Sequence, residues 1–298
     1  MIIGVDQGYS HTKTSEGSIF PSKISTESYM IGESTEVKID GKSYLVGEGN
    51  IEVELNKVNK ELTRVCILTA LAQSGEHQEY QVVTGLPIGL YKTQRGQLKE
   101  MLLSNRRVEL EYNRQKRILS ITKAEVFPQA AGVFYMIDRR EYEDYNTVVI
   151  TDIGGRSVDF ALFEQINKKW KLTRYSTIME GTLTLYSKII NLINSRYELA
   201  LKVEDGETIL RKGLQIYGEK QDLSFIKAII ADHIEAIYRE LYLKYPIKTS
   251  KHIIAGGGAY LFKDIIERKI PRTVLVPNAQ FANAIGFKKV GEALWQRY

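Results

Sequence analysis

Short apolar, β-branched runs alternate along this chain with stretches of helical periodicity, and this alternation predicts an α/β protein. Three of the apolar runs end alike. Met1 to Val5 stops at Asp6 and turns at Gly8. Val148 to Ile150 runs into Asp152 and the pair Gly154-Gly155, and Val158 to Phe163 then leads the chain away as the return arm of a hairpin. Residues 252–255 run into Gly256-Gly257-Gly258. Between these points the pattern predicts further elements. Residues 19–58 alternate weakly and carry turn signals at Gly32-Glu33, Asp40-Gly41-Lys42 and residues 47–50, which predicts a small insertion of short strands. Residues 59–74 place Leu62, Val65, Cys66 and Ala72 at helical spacing. Residues 80–87 form a strand before a Gly-Pro break, and residues 91–103 form a helix with Leu98, Met101 and Leu102 on one side.

Residues 108–110 and 118–121 predict a strand pair with one polar face. Residues 125–135 predict a helix with Pro128 at its first position, where a missing N–H costs nothing, and Gln129 in its first turn. Gly181 turns into a helix carrying Tyr186, Ile189, Ile190, Ile193 and Tyr197 in phase. Residues 198–222 are polar, with helical pieces. Ile226, Ile229, Ile230, Ile234, Ile237 and Leu241 are separated by gaps of 3, 1, 4, 3 and 4, a core-facing stripe on a long helix that stops before Pro246. A short strand at 274–276 and a helix over 278–295 finish the pattern.

Composition narrows the class. With 43% hydrophobic and 26% charged residues over 298 positions, the chain is long enough for two globular domains. No apolar run approaches the ~20 residues that cross a bilayer. The N-terminal segment has no basic start followed by a long apolar core, so a cytoplasmic location and no membrane partner are expected. Cys66 is the single cysteine; it excludes an internal disulfide, and its apolar neighbours predict a buried helix residue. Four scattered histidines give no pair at zinc-ligand spacing. The net charge of +5 is mild, and the densest basic stretch, Arg106, Arg107, Arg114, Lys116 and Arg117, reads as a solvated strand pair, with a face toward a nucleic acid or an acidic partner as the alternative.

The three strand-to-glycine turns carry the candidate chemistry. A glycine turn lets backbone N–H groups approach an anion, and an acid beside it can hold a hydrated Mg²⁺. Asp6-Gln7-Gly8 and Asp152-Ile153-Gly154-Gly155 share this design and lie about 146 residues apart. Lys13, seven residues past Asp6, sits on the returning arm of the first hairpin and can reach back to a phosphate. Two such loops in two halves of one chain predict a duplicated α/β domain with a nucleotide in the cleft between. Gly256 to Gly258 leave no side chain between backbone and a flat base or ribose. Gln129, pointing out of the strand ends, suits the orienting of a water.

In this order the parts resemble the actin/Hsp70/sugar-kinase ATPase superfamily over nearly the whole chain. Asp6-Gln7-Gly8 through Lys13 is similar to its first phosphate loop, Asp152 through Asp159 to its second, Ala255 to Gly258 to its adenosine motif, and Gln129-Ala130 to the water-positioning helix start of actin. Residues 82–87, Glu180-Gly181-Thr182-Leu183-Thr184-Leu185-Tyr186 and Gln280-Phe281-Ala282-Asn283-Ala284-Ile285-Gly286-Phe287 are similar to signatures of the bacterial plasmid-segregation, ParM-type group. That group often has Glu where this chain has Gln129. The resemblance implies two related RNase H-like domains with inserted subdomains around a nucleotide cleft. Domain I would span 1–146 with an insertion at about 19–80 and the helix over 285–298 packing back on it; domain II would span 147–284 with an insertion at about 190–245. The chain is short for the group, and the shortfall is expected at 198–222, where adenosine contacts arise.

The resemblance further implies ATP, with GTP as the alternative nucleotide, and Mg²⁺ held through water by Asp6 and Asp152. Asp6, Asp152 and Gln129 would be catalytic. Gln7, Gly8, Tyr9, Lys13, Gly154, Gly155, Arg156, Gly181, Glu207, Arg211, Gly256, Gly257 and Gly258 would bind the cofactor, with Lys212 a further candidate beside Arg211. The implied activity is ATP hydrolysis coupled to head-to-tail self-assembly into filaments that move plasmid DNA, touched only indirectly through a DNA-binding adaptor. Two alternatives share the fold: a small-molecule kinase, for which Asp159 and Glu125 are the acids at hand, and a non-polymerising ATP-gated binding module.

Overall fold

The computed structural model describes residues 1–27, 35–49, 56–58 and 60–296. The turn expected at Gly32-Glu33, together with Asn50, Arg297 and Tyr298, lies outside the described residues. The first half of the chain runs β1 (Ile2–Gln7), β2 (His11–Thr14), β3 (Ile19–Pro21), β4 (Ile24–Ser25), β5 (Thr35–Ile39), β6 (Lys42–Val46), α1 (Glu61–Gln73), β7 (Glu79–Leu86), α2 (Tyr91–Ser104), β8 (Val108–Tyr112), β9 (Gln115–Pro128) and α3 (Ala131–Met136). The second half runs β10 (Thr147–Ile153), β11 (Val158–Ile166), β12 (Lys169–Ile178), α4 (Thr182–Tyr197), α5 (Asp205–Lys212), β13 (Gln215–Ile216), β14 (Glu219–Lys220), α6 (Lys227–Lys244), β15 (Lys251–Ala255), α7 (Ala259–Lys269), β16 (Val274–Leu275) and α8 (Ala282–Trp295).

The two halves repeat one topology. The second sheet has the order β12-β11-β10-β15-β16. Its central strand β10 pairs antiparallel with β11 and parallel with β15. In the first sheet the segment β3-β2-β1-β7-β9 has the same order and sense, with β1 antiparallel to β2 and parallel to β7. Parallel strands buried on both faces read as continuous apolar runs, and β1, β7, β10 and β15 are such runs. The first sheet extends past β9 through β8, β5, β6 and β4 to nine strands. The added part therefore takes in the β8–β9 hairpin as well as β4, β5 and β6, whereas α1 and β7 pack in the central layer.

One expected element is different. Residues 125–128 end the long strand β9, and helix α3 begins only at Ala131. Pro128 pairs opposite Leu86 at the last rung of the parallel ladder, so it ends a strand rather than opening a helix. Buried Ala124, Val126 and Pro128 alternate with half-buried Glu125 and Phe127, which is strand periodicity. The expected helix over 226–241 is α6, and His233, Ile234, Ile237 and Leu241 are its buried positions. Cys66 is buried within α1, and burial pushes its thiol up to about 12, so it is inert as a nucleophile.

Helix α8 returns from the second half to lie against β1, β7 and α3. The approach is close enough to demand glycine. A Cβ on Gly286 would fall 1.9 Å from the Gly132 carbonyl oxygen, and one on Gly4 1.9 Å from that of Ala284. The ring of Phe287 fills the space beside Gly85 and Gly132. This seam carries Asn283 and so fixes the crevice described below. Gly286→Ala is expected to push α8 off α3 and destabilise the fold by about 1–3 kcal/mol, as overpacking does; the midpoint of urea unfolding checks this.

Candidate functional site

The central strands β1 and β10 each end in an acid at the same edge of their sheets. Asp6 is the fifth residue of the six in β1, and Asp152 the sixth of the seven in β10. Each strand then turns into its antiparallel neighbour. Gly8 N–H donates to the His11 carbonyl at 3.0 Å, and Gly154 N–H to the Ser157 carbonyl at 2.9 Å. The return arms set Lys13 opposite Asp6 and Asp159 opposite Asp152. The two hairpin tips meet: a Cβ on Gly155 would fall 2.6 Å from Ser10 Oγ.

A polar network crosses this meeting point. Gln129 Nε2 donates to Asp6 Oδ1 at 2.6 Å, and Lys13 Nζ lies 3.2 Å from Asp6 Oδ2. Asn283 Nδ2 donates to Asp152 Oδ2 at 2.6 Å, while Asn283 Oδ1 accepts from the Ala130 N–H at 3.0 Å. Asn283 thus ties the second acid to the residue after Gln129. Ala130 has φ +62° and ψ −46°, and Ala131 N–H donates to the Gln129 carbonyl at 2.7 Å. This tight turn is strained for a residue with a Cβ, at a cost of about 1–3 kcal/mol. Gln129 N–H still donates to the Leu86 carbonyl at 2.8 Å, and the turn after it leads the chain into α3 while the Gln129 side chain reaches Asp6.

The glycines complete the frame. Gly256 has φ +86°, and a Cβ there would fall 2.5 Å from Asp152 Oδ1, so only glycine lets β15 turn beneath that carboxylate. Gly258 N–H donates to the Ile153 carbonyl and immediately precedes α7. Gly181 N–H donates to the Arg156 carbonyl, which pins the start of α4 to the second hairpin.

Burial concentrates charge here. Burial is the main cause that raises the Asp152 carboxyl to about 6, and the neighbouring Asp6 adds to it. Burial likewise raises Asp159 to about 7, opposed by the hydroxyl of Thr177, which donates to Asp159 Oδ1. Among the described residues no cluster of three His, Cys, Asp or Glu could hold a metal directly. The donor set of Asp6 and Asp152 instead suits a hard cation that keeps several waters. Hairpin N–H groups and Lys13 suit phosphate oxygens. The residues present therefore fit a Mg-nucleotide. A wider surface hollow of about 1190 Å³ lies elsewhere, against β8 and β9. Lys38, Arg107, Lys116 and Arg117 mix there with Glu76, Glu109 and Glu111, so the basic stretch sits in a surface of both signs.

Residues 4–132 match the family model described as the actin like proteins N terminal domain. The whole chain superposes on a ParM filament protein from Clostridium botulinum with TM-score 0.82 at 21% identity, covering 98% of this chain and 99% of that one. It superposes equally widely on an archaeal actin homolog solved in complex with ADP, with TM-score 0.83 at 21% identity and the same coverage of both chains. The chain has the ParM-type, actin-like fold. A ParM from Bacillus thuringiensis solved with AMPPNP matches at TM-score 0.69 and 18% identity, over 99% of each chain. No curated protein matches the sequence.

Within this actin-like frame the structure gathers Asp6, Gly8, Tyr9, Lys13, Gln129, Asp152, Gly154, Gly155, Arg156 and Gly256 around one crevice. Gly257 and Gly258 continue the turn that begins at Gly256, and Gln7 lies under the first loop, its Nε2 donating to the Gly8 carbonyl. Gly181 packs behind the second loop. Glu207, Arg211 and Lys212 are exposed on α5, outside the crevice lining. Four residues given no role in the site from sequence also matter: Asn283, Gln280 and Ser157 line the crevice, and Lys57 is buried beside Gln7. Asn283 lies in a quoted motif, but only its hydrogen bonds reveal its part.

A carboxyl whose folded pKa is raised binds more protons folded than unfolded. Stability from Asp159 is therefore present at low pH and lost as pH rises from its ordinary 3.8 through about 7. Asp159→Asn removes that loss while keeping an acceptor for Thr177. Without nucleotide, the variant should be more stable than wild type at pH 8 by up to about 4 kcal/mol, from about 1.4 kcal/mol per pKa unit over the rise from 3.8 to about 7, with little difference at pH 4. Thermal unfolding of both proteins across this range checks the expectation.

Proposed function

We propose that this actin-like protein binds Mg-ATP between its two acid-tipped hairpins, hydrolyses it, and self-assembles head to tail into filaments. The observation that carries the reading is the doubled topology: two sheets of one order bring an acid from the same strand position into one crevice. The neighbours of this fold solved with ADP and with AMPPNP support a nucleotide there, and the ParM filament of C. botulinum supports self-assembly. A Mg²⁺ held by Asp6 and Asp152 would supply charge neutralisation to the phosphates when bound.

The chain's own residues supply the rest. Lys13 and the loop N–H groups neutralise phosphate charge. Gln129, its NH₂ committed to Asp6, has its amide oxygen left to accept from a water and so hold it in line. The crevice encloses only about 30 Å³, room for a water or two. Phosphates therefore enter when the halves part, and contacts from both loops to one nucleotide then favour closure. A closed protomer adding head to tail gives an open filament. By the same reading the filament is cytoplasmic and moves plasmid DNA through a DNA-binding adaptor. Among the described residues no helix is long and apolar enough to cross a membrane.

Asp159 supports a second reading, a kinase, because it is a buried acid lining the crevice and raised to about 7, the range of a general base. Glu125 is engaged by Lys99 at 2.8 Å instead. ATP turnover that depended on an added sugar or acid would favour the kinase.

Two outcomes are expected. Light scattering and negative-stain imaging should show filaments with Mg-ATP and none with Asp152→Ala; monomeric wild type at every practical concentration would end the filament reading. Gln129→Ala should lower kcat on the order of a hundredfold, as loss of one transition-state contact does, with KM for ATP little changed in steady-state assays.

A further inference from the structure

Lys57 is a buried lysine in the short segment 56–58, and its side chain is 4% exposed. Burying an ammonium is costly, and an apolar residue would fill the space more cheaply. The segment is nonetheless built to hold it. Val58 packs in a cluster with Leu86, Leu98 and Val126. The Lys57 N–H donates to Gln94 Oε1 at 3.2 Å, and the Val58 N–H to Asn56 Oδ1 at 2.9 Å. The first of these bonds ties the segment to α2, and the second closes a turn within it.

It points at the first hairpin. Lys57 Nζ donates to the Gln7 carbonyl and lies 4.4 Å from the centre of the Tyr9 ring. The guanidinium of Arg156, from the second hairpin, lies 5.2 Å from the centre of the same ring. Tyr9 lines both the crevice and a small cavity shared with Gln7 and Lys57, so its ring stands between the two spaces. Cations over an aromatic ring gain most where water is excluded. The carboxylates of Asp6 and Asp159 favour the charged lysine, while burial and Lys13 oppose it and bring it down to about 8. Most of the population is still charged at neutral pH.

We propose that Lys57 is a positioning residue for the nucleotide phosphates: it braces the Gln7–Tyr9 turn and, through the Tyr9 ring, joins that turn to Arg156 on the opposite hairpin. Lys57 touches no phosphate in this role. It sets the shape of the first loop and couples it to the second, so its loss weakens nucleotide binding without removing a catalytic group. The inference rests on the nucleotide reading above.

The test is a double-mutant cycle on Mg-ATP turnover with Lys57→Met and Tyr9→Leu. Lys57→Met should raise KM for Mg-ATP about tenfold with kcat within about twofold, and Tyr9→Leu, which also alters the crevice lining, should raise KM by a similar factor. The double variant should also stay near tenfold, because both changes break one connection. A Lys57→Met protein with wild-type KM and only a lowered Tm overturns the proposal, as does a double variant whose effects multiply to about a hundredfold. A wild type that turns over no ATP would overturn the ATPase reading, and the brace is then judged without nucleotide. Amine-reactive labelling read by mass spectrometry should leave Lys57 unmodified in wild type and modify it in Tyr9→Leu. Labelling of Lys57 in wild type, or its continued shielding in Tyr9→Leu, overturns the proposal.

Discussion

Two carboxylates at the ends of two central strands repel each other once they are drawn out of water into one crevice, and the surrounding structure answers that repulsion. Asp6 is met by Lys13 and Gln129, and Asp152 by Asn283. Asp152 and the nearby Asp159 stay raised by burial even so. Such a site stores unfavourable charge that a bound cation would relieve. The strained turn at Ala130 belongs to the same arrangement, since Gln129 serves Asp6 while the N–H of the next residue, Ala130, holds Asn283, which serves Asp152.

Topology makes the arrangement possible. Repeating one strand order puts equivalent hairpins at equivalent sheet edges, and α8, reaching back from the second half, locks them together. The glycines at 4 and 286 set how closely α8 approaches, so packing far from the carboxylates determines where Asn283 meets Asp152. Stability of the seam and geometry of the crevice are therefore one property. Lys57 extends the logic outward, since a segment pinned under α2 carries the charge that braces the first hairpin.

Much of this was legible in the sequence because it is local. An apolar run, an acid and a glycine turn are neighbours in the chain, so Asp6, Gly8, Asp152, Gly154 and Gly256 could be read directly. What arises from long-range contact could not. Asn283 lies 131 residues from Asp152, and nothing around it signals a ligand to a carboxylate. Lys57 sits among polar residues and gives no apolar pattern to mark it as buried. The end of β9 was hidden for another reason: Pro128 looks like a helix start, and the period-two burial of residues 124–128 is short enough to be overlooked. β12 is missed because none of its residues is fully buried on its sheet edge, where Lys, Thr and Arg blur the alternation.

The account stands on two hairpins serving a single nucleotide. Calorimetric titration of the monomeric protein with Mg-ATP tests it most directly, beside Asp6→Ala and Asp152→Ala. The account predicts one nucleotide per chain, with affinity lost when either acid is removed, since each supplies half of one site. Two nucleotides per chain, no binding by wild type, or binding that survives the loss of either acid would contradict it.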